Sequence, residues 1–209
     1  MQENYSNLRR RFLWRAGAGA GALALGSALA ACADNKEQFV GIDITGADYA
    51  RDFMLTDHLG RPRSIKDFRG KVVVLFFGFT QCPDVCPSSM AELAEVKKQL
   101  GKEGDRLQGL FVTLDPERDS PEVLKAYMAN FDASFLALRA PPDQLAEVAK
   151  HYKVFYKKVE GKTPTSYTLD HSTGRYVYDP QGRIRLFTRH GAGPAGLLAD
   201  VKILLAQSG

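Results

Sequence analysis

Residues Lys71 to Phe79 read KVVVLFFGF, a run of β-branched, leucine and aromatic residues broken only by one glycine. No polar residue alternates with the apolar ones, so a strand here has to be covered on both faces. A sheet flanked by helices provides that cover, and the run predicts a central strand of an α/β domain. Directly after it come Cys82 and Cys86, four apart and each followed by proline. The next stretch predicts a helix starting near Pro87, because proline lacks an N–H and the first N–H groups of a helix are unpaired anyway. Met90, Leu93, Val96 and Leu100 share one face of it, and Gly101 ends it.

The rest of the chain continues the alternation. Leu107 to Leu114 is a second strand, and Asp119-Ser120-Pro121-Glu122 opens a helix to about Phe131, with Asp119 or Ser120 as its cap. Gln144 to Tyr152 is a third helix. Phe53 to Thr56, Val154 to Val159, Thr165 to Leu169 and Tyr176 to Tyr178 are β-like. The turn Asp179-Pro180-Gln181-Gly182 joins Tyr176–Tyr178 to Arg183–Thr188 as a hairpin, and Ala195 to Ala206 is a closing helix. This order predicts a thioredoxin-like α/β fold: a central mixed sheet flanked by helices, with an inserted β-hairpin.

The first residues stand apart from that domain. Arg9, Arg10, Arg11 and Arg15 precede a 16-residue uncharged run of mostly alanine and glycine, Ala16 to Ala31. That is the pattern of an export signal, short of the roughly 20 residues a spanning helix needs. Its end, Leu29-Ala30-Ala31-Cys32, resembles the lipobox of bacterial lipoproteins, which implies cleavage before Cys32 and lipid on its sulfur. The segment Arg9 to Leu13 also resembles a twin-arginine signal, but Leu8 and Trp14 depart from that pattern, so the export route stays open. The expected organisation is a signal peptide with lipobox over 1–31, a tether over 32–48 and the thioredoxin-like domain over 49–209. The leader holds four arginines and one glutamate, so its removal lowers the formal net charge from +4 to +1. No basic run remains to attract nucleic acid.

With Cys32 assigned to lipid, Cys82 and Cys86 need a separate explanation. As a staple they would close too short a loop to contribute much stability. At a helix N-terminus their thiols are expected to ionise below the free value of about 8.5, which suits a redox pair and a soft-metal site alike. Three residues separate them, not the two of thioredoxin-type redox motifs. A peroxiredoxin reading fails because Phe79 stands where that family has threonine. Two thiolates leave a copper or zinc site incomplete, so a third donor is sought among the histidines. His58 lies in a turn and His151 in a charged helix end, both read as solvated. His190 reads as a loop residue. His171 lies in a loop between Tyr167–Leu169 and the hairpin, within reach of the cysteine end of such a sheet. From the residues alone, metal site and redox dithiol both remain open.

Three blocks, FTQCPDVCP, TLDPERDSPEVLKAY and YTLDHSTGRYVYDPQGR, resemble the signature blocks of the Sco/SenC family, in that family's order, within a likeness covering roughly Phe53 to Gln207. These are membrane-tethered, thioredoxin-fold copper proteins that help build the binuclear copper site of cytochrome c oxidase. The resemblance implies copper held by Cys82, Cys86 and His171; the nearby Asp84 and Asp170 read either as carboxylates that tune the site or as a solvated carboxylate or turn cap. Asp115, Arg118 and Asp119 match the middle block and also read as a strand-end turn and helix cap. The implied function is a copper metallochaperone, not an enzyme in the turnover sense, lipid-anchored on the periplasmic side of a bacterial membrane. Its implied partner is the copper-bearing subunit of the oxidase, with another periplasmic copper chaperone or a thiol reductase as a further one. The alternative is a thiol–disulfide oxidoreductase in which Cys82 and Cys86 are a redox pair that reduces the cysteines of the oxidase copper site.

Overall fold

The computed structural model describes residues 38–163, 166–191 and 193–207. The leader, Cys32 and the start of the expected tether lie outside the described residues. Strands β1 (Ile42–Asp43), β2 (Leu55–Asp57), β3 (Pro62–Arg63), β4 (Val72–Gly78), β5 (Leu107–Thr113), β6 (Leu136–Arg139), β9 (Arg175–Tyr178) and β10 (Ile184–Thr188) form one sheet, ordered β1-β10-β9-β4-β5-β6-β2-β3. β4, β5 and β6 run parallel and the remaining pairs are antiparallel. Among the described residues, β7 (Tyr156–Glu160) and β8 (Tyr167–His171) pair only with each other, as a separate two-stranded sheet. The helices are α1 (Val85–Gln99), α2 (Pro121–Ala129), α3 (Pro142–His151) and α4 (Gly193–Ala206). This is the expected mixed sheet flanked by helices.

The apolar run behaves as its composition requires: every residue of β4 is buried, and so is every residue of its parallel neighbour β5. Side chains alternate between the two faces. Phe77 and Tyr176 point to one of them and pack on Tyr152, just past α3, with ring centroids 5.1 and 5.2 Å from it. Phe76 and Gly78 point to the other. Arg175, the antiparallel partner of Phe76, lies on that same face, where it is 1% exposed and pairs with Glu92 of α1 at 2.6 Å. α1 and α4 pack on each other.

Two hairpin turns share one design. In Asp57-His-Leu-Gly-Arg-Pro-Arg63 and Asp179-Pro-Gln-Gly-Arg-Ile-Arg185, the aspartate Oδ1 accepts the N–H groups two and four residues on, at 2.9–3.1 Å. Its Oδ2 meets the final arginine, at 2.8 Å for Arg63 and 3.4 Å for Arg185. The glycines, Gly60 and Gly182, sit at φ +82° and +79°, where a side chain would be strained.

The elements differ in detail from expectation. α1 begins at Val85, two residues before the proline that marked its expected start; Pro87 is its third residue, and the N–H it lacks is one no helix pairs internally. The sequence reading has no strand at Leu136–Arg139, yet LALR forms β6 beside β5; four residues are too few for periodicity to declare. Part of the expected tether belongs to the sheet: Ile42 and Asp43 pair with β10, while Val40 and Gly41 donate their N–H groups to Asp200 at 2.7 and 2.9 Å. His171 is the last residue of β8, paired with Tyr156, and not a loop residue.

Candidate metal centre

β4 delivers the chain to the site. After Gly78 it turns through Phe79, whose carbonyl accepts the Cys82 N–H at 3.2 Å. The turn is braced from β5's end. The fully buried Asp119 carboxylate accepts the Thr80 hydroxyl (2.5 Å), the Thr80 N–H (3.1 Å) and the Thr113 hydroxyl (2.5 Å). Asp119 is therefore occupied with the cysteine loop, and Ser120 alone caps α2, its Oγ accepting the Val123 N–H at 3.3 Å.

Cys82 is partly exposed, whereas Cys86, in the first turn of α1, is completely buried. The Cys86 N–H points at Cys82 Sγ, 3.4 Å away. Room for the Cys86 sulfur comes from Gly78, where a Cβ would lie 2.8 Å from Cys86 Sγ. β8 brings His171 from the other side, its Nε2 3.5 Å from Cys86 Sγ. The two sulfurs and a His171 ring nitrogen all lie within 4.8 Å of one another.

The imidazole is prepared for ligation. His171 Nδ1 is 2.8 Å from the Ser172 carbonyl, which can only accept, so Nδ1 carries the proton and Nε2 presents its lone pair. Burial holds the pKa of His171 below the usual histidine range, which keeps the ring neutral. The edges of Phe76 and Phe79 enclose it, with centroids at 6.1 and 5.8 Å.

The cysteines correct one expectation. The helix N-terminus was expected to lower both thiol pKa values, but burial pushes that of Cys86 strongly up, and the adjacent Cys82 adds to the effect. Desolvation outweighs the few N–H dipoles available. A metal entering here has to displace the Cys86 proton. The donors fit one ion: sulfur at about 2.3 Å and imidazole nitrogen at about 2.0 Å, at roughly 120°, lie about 4 Å apart. Two thiolates and one imidazole form a soft set suited to copper(I) or zinc.

The remaining candidates fall elsewhere. Asp84 is exposed at the N-cap of α1, with no side-chain cap bond. Asp170 is exposed and, adjacent to His171 along β8, alternates to the opposite face. His58 lies in a turn but is not solvated as expected: half-buried, its Nδ1 accepts the Ala137 N–H at 3.1 Å while its backbone N–H donates to the Ala137 carbonyl at 2.9 Å. Burial lowers its pKa. His151 is exposed and accepts the Arg51 N–H at 3.3 Å. His190 Nδ1 sits 3.1 Å from Ser89 Oγ on α1. Among the described residues, the clustered donors are Cys82, Cys86 and His171. Sequence reasoning missed the space at Gly78 and the brace at Asp119. A glycine closing an otherwise bulky strand was the available signal for the first; the second gave none.

Comparison with known proteins places this arrangement. The SCO1/SenC family model matches residues 43–206. The mitochondrial SCO2 homologue of Mus musculus is 37% identical over 194 residues, covering 90% of this chain and 74% of its own. That of Bos taurus is 41% identical over 139 residues, 66% of this chain and 51% of its own, so the match spans about half the length of that relative. The structure of Bradyrhizobium japonicum ScoI with copper bound superposes with a TM-score of 0.66 at 38% identity, covering 72% of this chain and 96% of that one.

Proposed function

The chain belongs to the SCO1/SenC family, and from that premise we propose that it is a copper metallochaperone for the binuclear copper site of cytochrome c oxidase. Copper is its cargo, held by Cys82 Sγ, Cys86 Sγ and His171 Nε2. The observation that carries the reading is the convergence of these donors within 4.8 Å, with the Nδ1 proton of His171 spent on the Ser172 carbonyl. Copper(I) binding releases the thiol protons, and the buried Cys86 sulfur is then neutralised by the ion rather than by a proton. The partly exposed Cys82 is the donor an incoming ligand of the partner reaches first, so delivery starts with exchange at Cys82. Asp84 and Asp170 act on the ion only through their charge. The partner is the copper-bearing oxidase subunit, with an upstream copper donor. The domain is anchored by lipid on Cys32 at the periplasmic face, a reading supported by the leader's sequence. No helix among the described residues is long and apolar enough to cross a membrane.

A second reading has its own support in the contact between the two cysteines, where the Cys86 N–H meets Cys82 Sγ at 3.4 Å. The Cys82 thiolate attacks a partner disulfide, forming a mixed disulfide and releasing one partner thiolate. Cys86 then attacks Cys82, leaving the Cys82–Cys86 disulfide and a fully reduced partner. The reduced pair thus either binds copper or gives up its two electrons.

The deciding experiment is copper stoichiometry before and after oxidation of the pair, with oxidase activity in cells carrying His171→Ala at low copper. One copper per reduced chain, none per oxidised chain and lost oxidase activity at normal protein level support the chaperone. Normal activity in that variant overturns it in favour of the reductase.

A further inference from the structure

Among the described residues, the hairpin that carries His171 has no strand pairing to the main sheet. Two strands alone are marginal in water, so something else must hold His171 within 3.5 Å of Cys86. The loop after β5 reaches the hairpin through Asp115, Glu117 and Arg118. Arg118 Nη1 donates both to Gln81 Oε1 (3.0 Å), the residue before Cys82, and to the Tyr167 carbonyl (2.9 Å), at the start of the strand that ends in His171. The guanidinium carbon lies 3.6 Å from the Tyr167 ring centroid. Its Nε donates to the buried Asp115, whose other oxygen accepts the Tyr167 hydroxyl at 2.8 Å. Lys158 of β7 adds its ammonium 3.8 Å from the same ring. Tyr167, Leu169 and His171 share one face of β8, and the buried Leu169 supplies the apolar part of the seat.

We propose that Arg118 is a positioning residue for the metal site, latching the His171 hairpin to the cysteine loop. The inference rests on the reading of His171 as a copper donor. A guanidinium suits the role and an ammonium does not, because only a planar fork can meet Asp115, Gln81 and the Tyr167 carbonyl while stacking on the ring. The anchor is itself immobilised: the Asp115 carbonyl accepts the Arg118 and Asp119 N–H groups (3.2 and 2.9 Å), and Asp119 holds Thr80. Both halves of the donor set are thereby referenced to one loop.

The test is a double-mutant cycle on copper(I) affinity, read by competition with a chelator, for wild type, Arg118→Ala, His171→Ala and the double variant. Arg118→Ala should weaken affinity by about 10–100-fold, the range typical of residues that orient a ligand. In the His171→Ala background the same change should have no further effect. Additive losses, or wild-type affinity in Arg118→Ala, overturn the proposal. If His171→Ala itself retains wild-type affinity, the copper reading fails. In that case hydrogen exchange of the copper-free protein decides the latch alone: Arg118→Ala should speed exchange in Tyr156–Glu160 and Tyr167–His171 and leave Val72–Gly78 protected. Unchanged exchange in the hairpin overturns it. If Arg118→Ala does not fold, Arg118→Lys, which keeps the charge and loses the fork, carries both measurements.

Discussion

Gly78 shows how closely a single residue can set the site. A Cβ there would lie 2.8 Å from Cys86 Sγ and 2.9 Å from both Phe76 Cε1 and Phe111 Cε2. The rings are locked in the core, so the sulfur must yield. Gly78→Ala should cost about 1–3 kcal/mol of stability, as overpacking does. It should also weaken copper binding beyond what the stability loss explains, because Cys86 is displaced relative to His171. Denaturant unfolding and copper competition on the same variant check this; unaltered copper affinity would refute the spatial argument. Residue-level chemistry was legible in part. Cys82 and Cys86 were conspicuous as thiols at the mouth of a helix, whereas His171 stood out among the four histidines only through the resemblance of its block, YTLDHSTGRYVYDPQGR, to a Sco/SenC signature. The rise in the Cys86 pKa could not be read from the sequence, because it depends on how deep the first turn of α1 sits beneath β4, β8 and the aromatic rings. His58 was misread for the same reason: its bond to Ala137 crosses 79 positions of the chain.

At the scale of elements, local chemistry was readable and long-range pairing was not. The β9–β10 hairpin followed from the turn residues Asp179-Pro180-Gln181-Gly182, because the bonds that Asp179 makes to shape the turn all lie within seven residues. β6 and the β1–β10 pair depend on partners far along the chain, and neither is long enough to show a period. The shared Asp-x-x-Gly-Arg-x-Arg turn gives the element its own prediction. Asp179 is 1% exposed and serves the N–H groups of Gln181 and Arg183 together with two arginines. Asp179→Ala leaves those N–H groups without an acceptor and should destabilise the domain by about 2–3 kcal/mol. Asp179→Asn, which keeps the Oδ1 acceptor, should recover part of that. Equal losses in the two variants, by thermal or denaturant unfolding, would mean that the arginine pairing and not the turn carries the energy.

For the molecule as a whole, the metal site couples folding to cargo. Its donors come from three elements, the loop after β4, the first turn of α1 and the end of β8, and only the folded chain brings all three together. A ligand that binds the native state alone adds RT ln(1 + [L]/Kd), about 2.7 kcal/mol at a hundredfold excess over Kd. For a domain of this size that is a rise in Tm of roughly 5–10 °C. Cys82 and Cys86 are close in sequence, so an unfolded chain also offers two thiolates, and copper bound there subtracts from the gain. What the fold adds is chiefly His171, fixed as the right tautomer by Ser172 and delivered by a latched hairpin. The reduced protein should therefore melt higher with one equivalent of copper(I), and the oxidised protein should not respond. His171→Ala should retain copper-free stability near wild type yet lose most of the copper-dependent rise, because its two remaining donors are nearly as available unfolded as folded. Differential scanning calorimetry of the reduced, oxidised and variant proteins, with and without copper(I), measures this. A full rise in His171→Ala would show that the thiolates alone account for the coupling, leaving the placement of β8 without an energetic role in cargo binding.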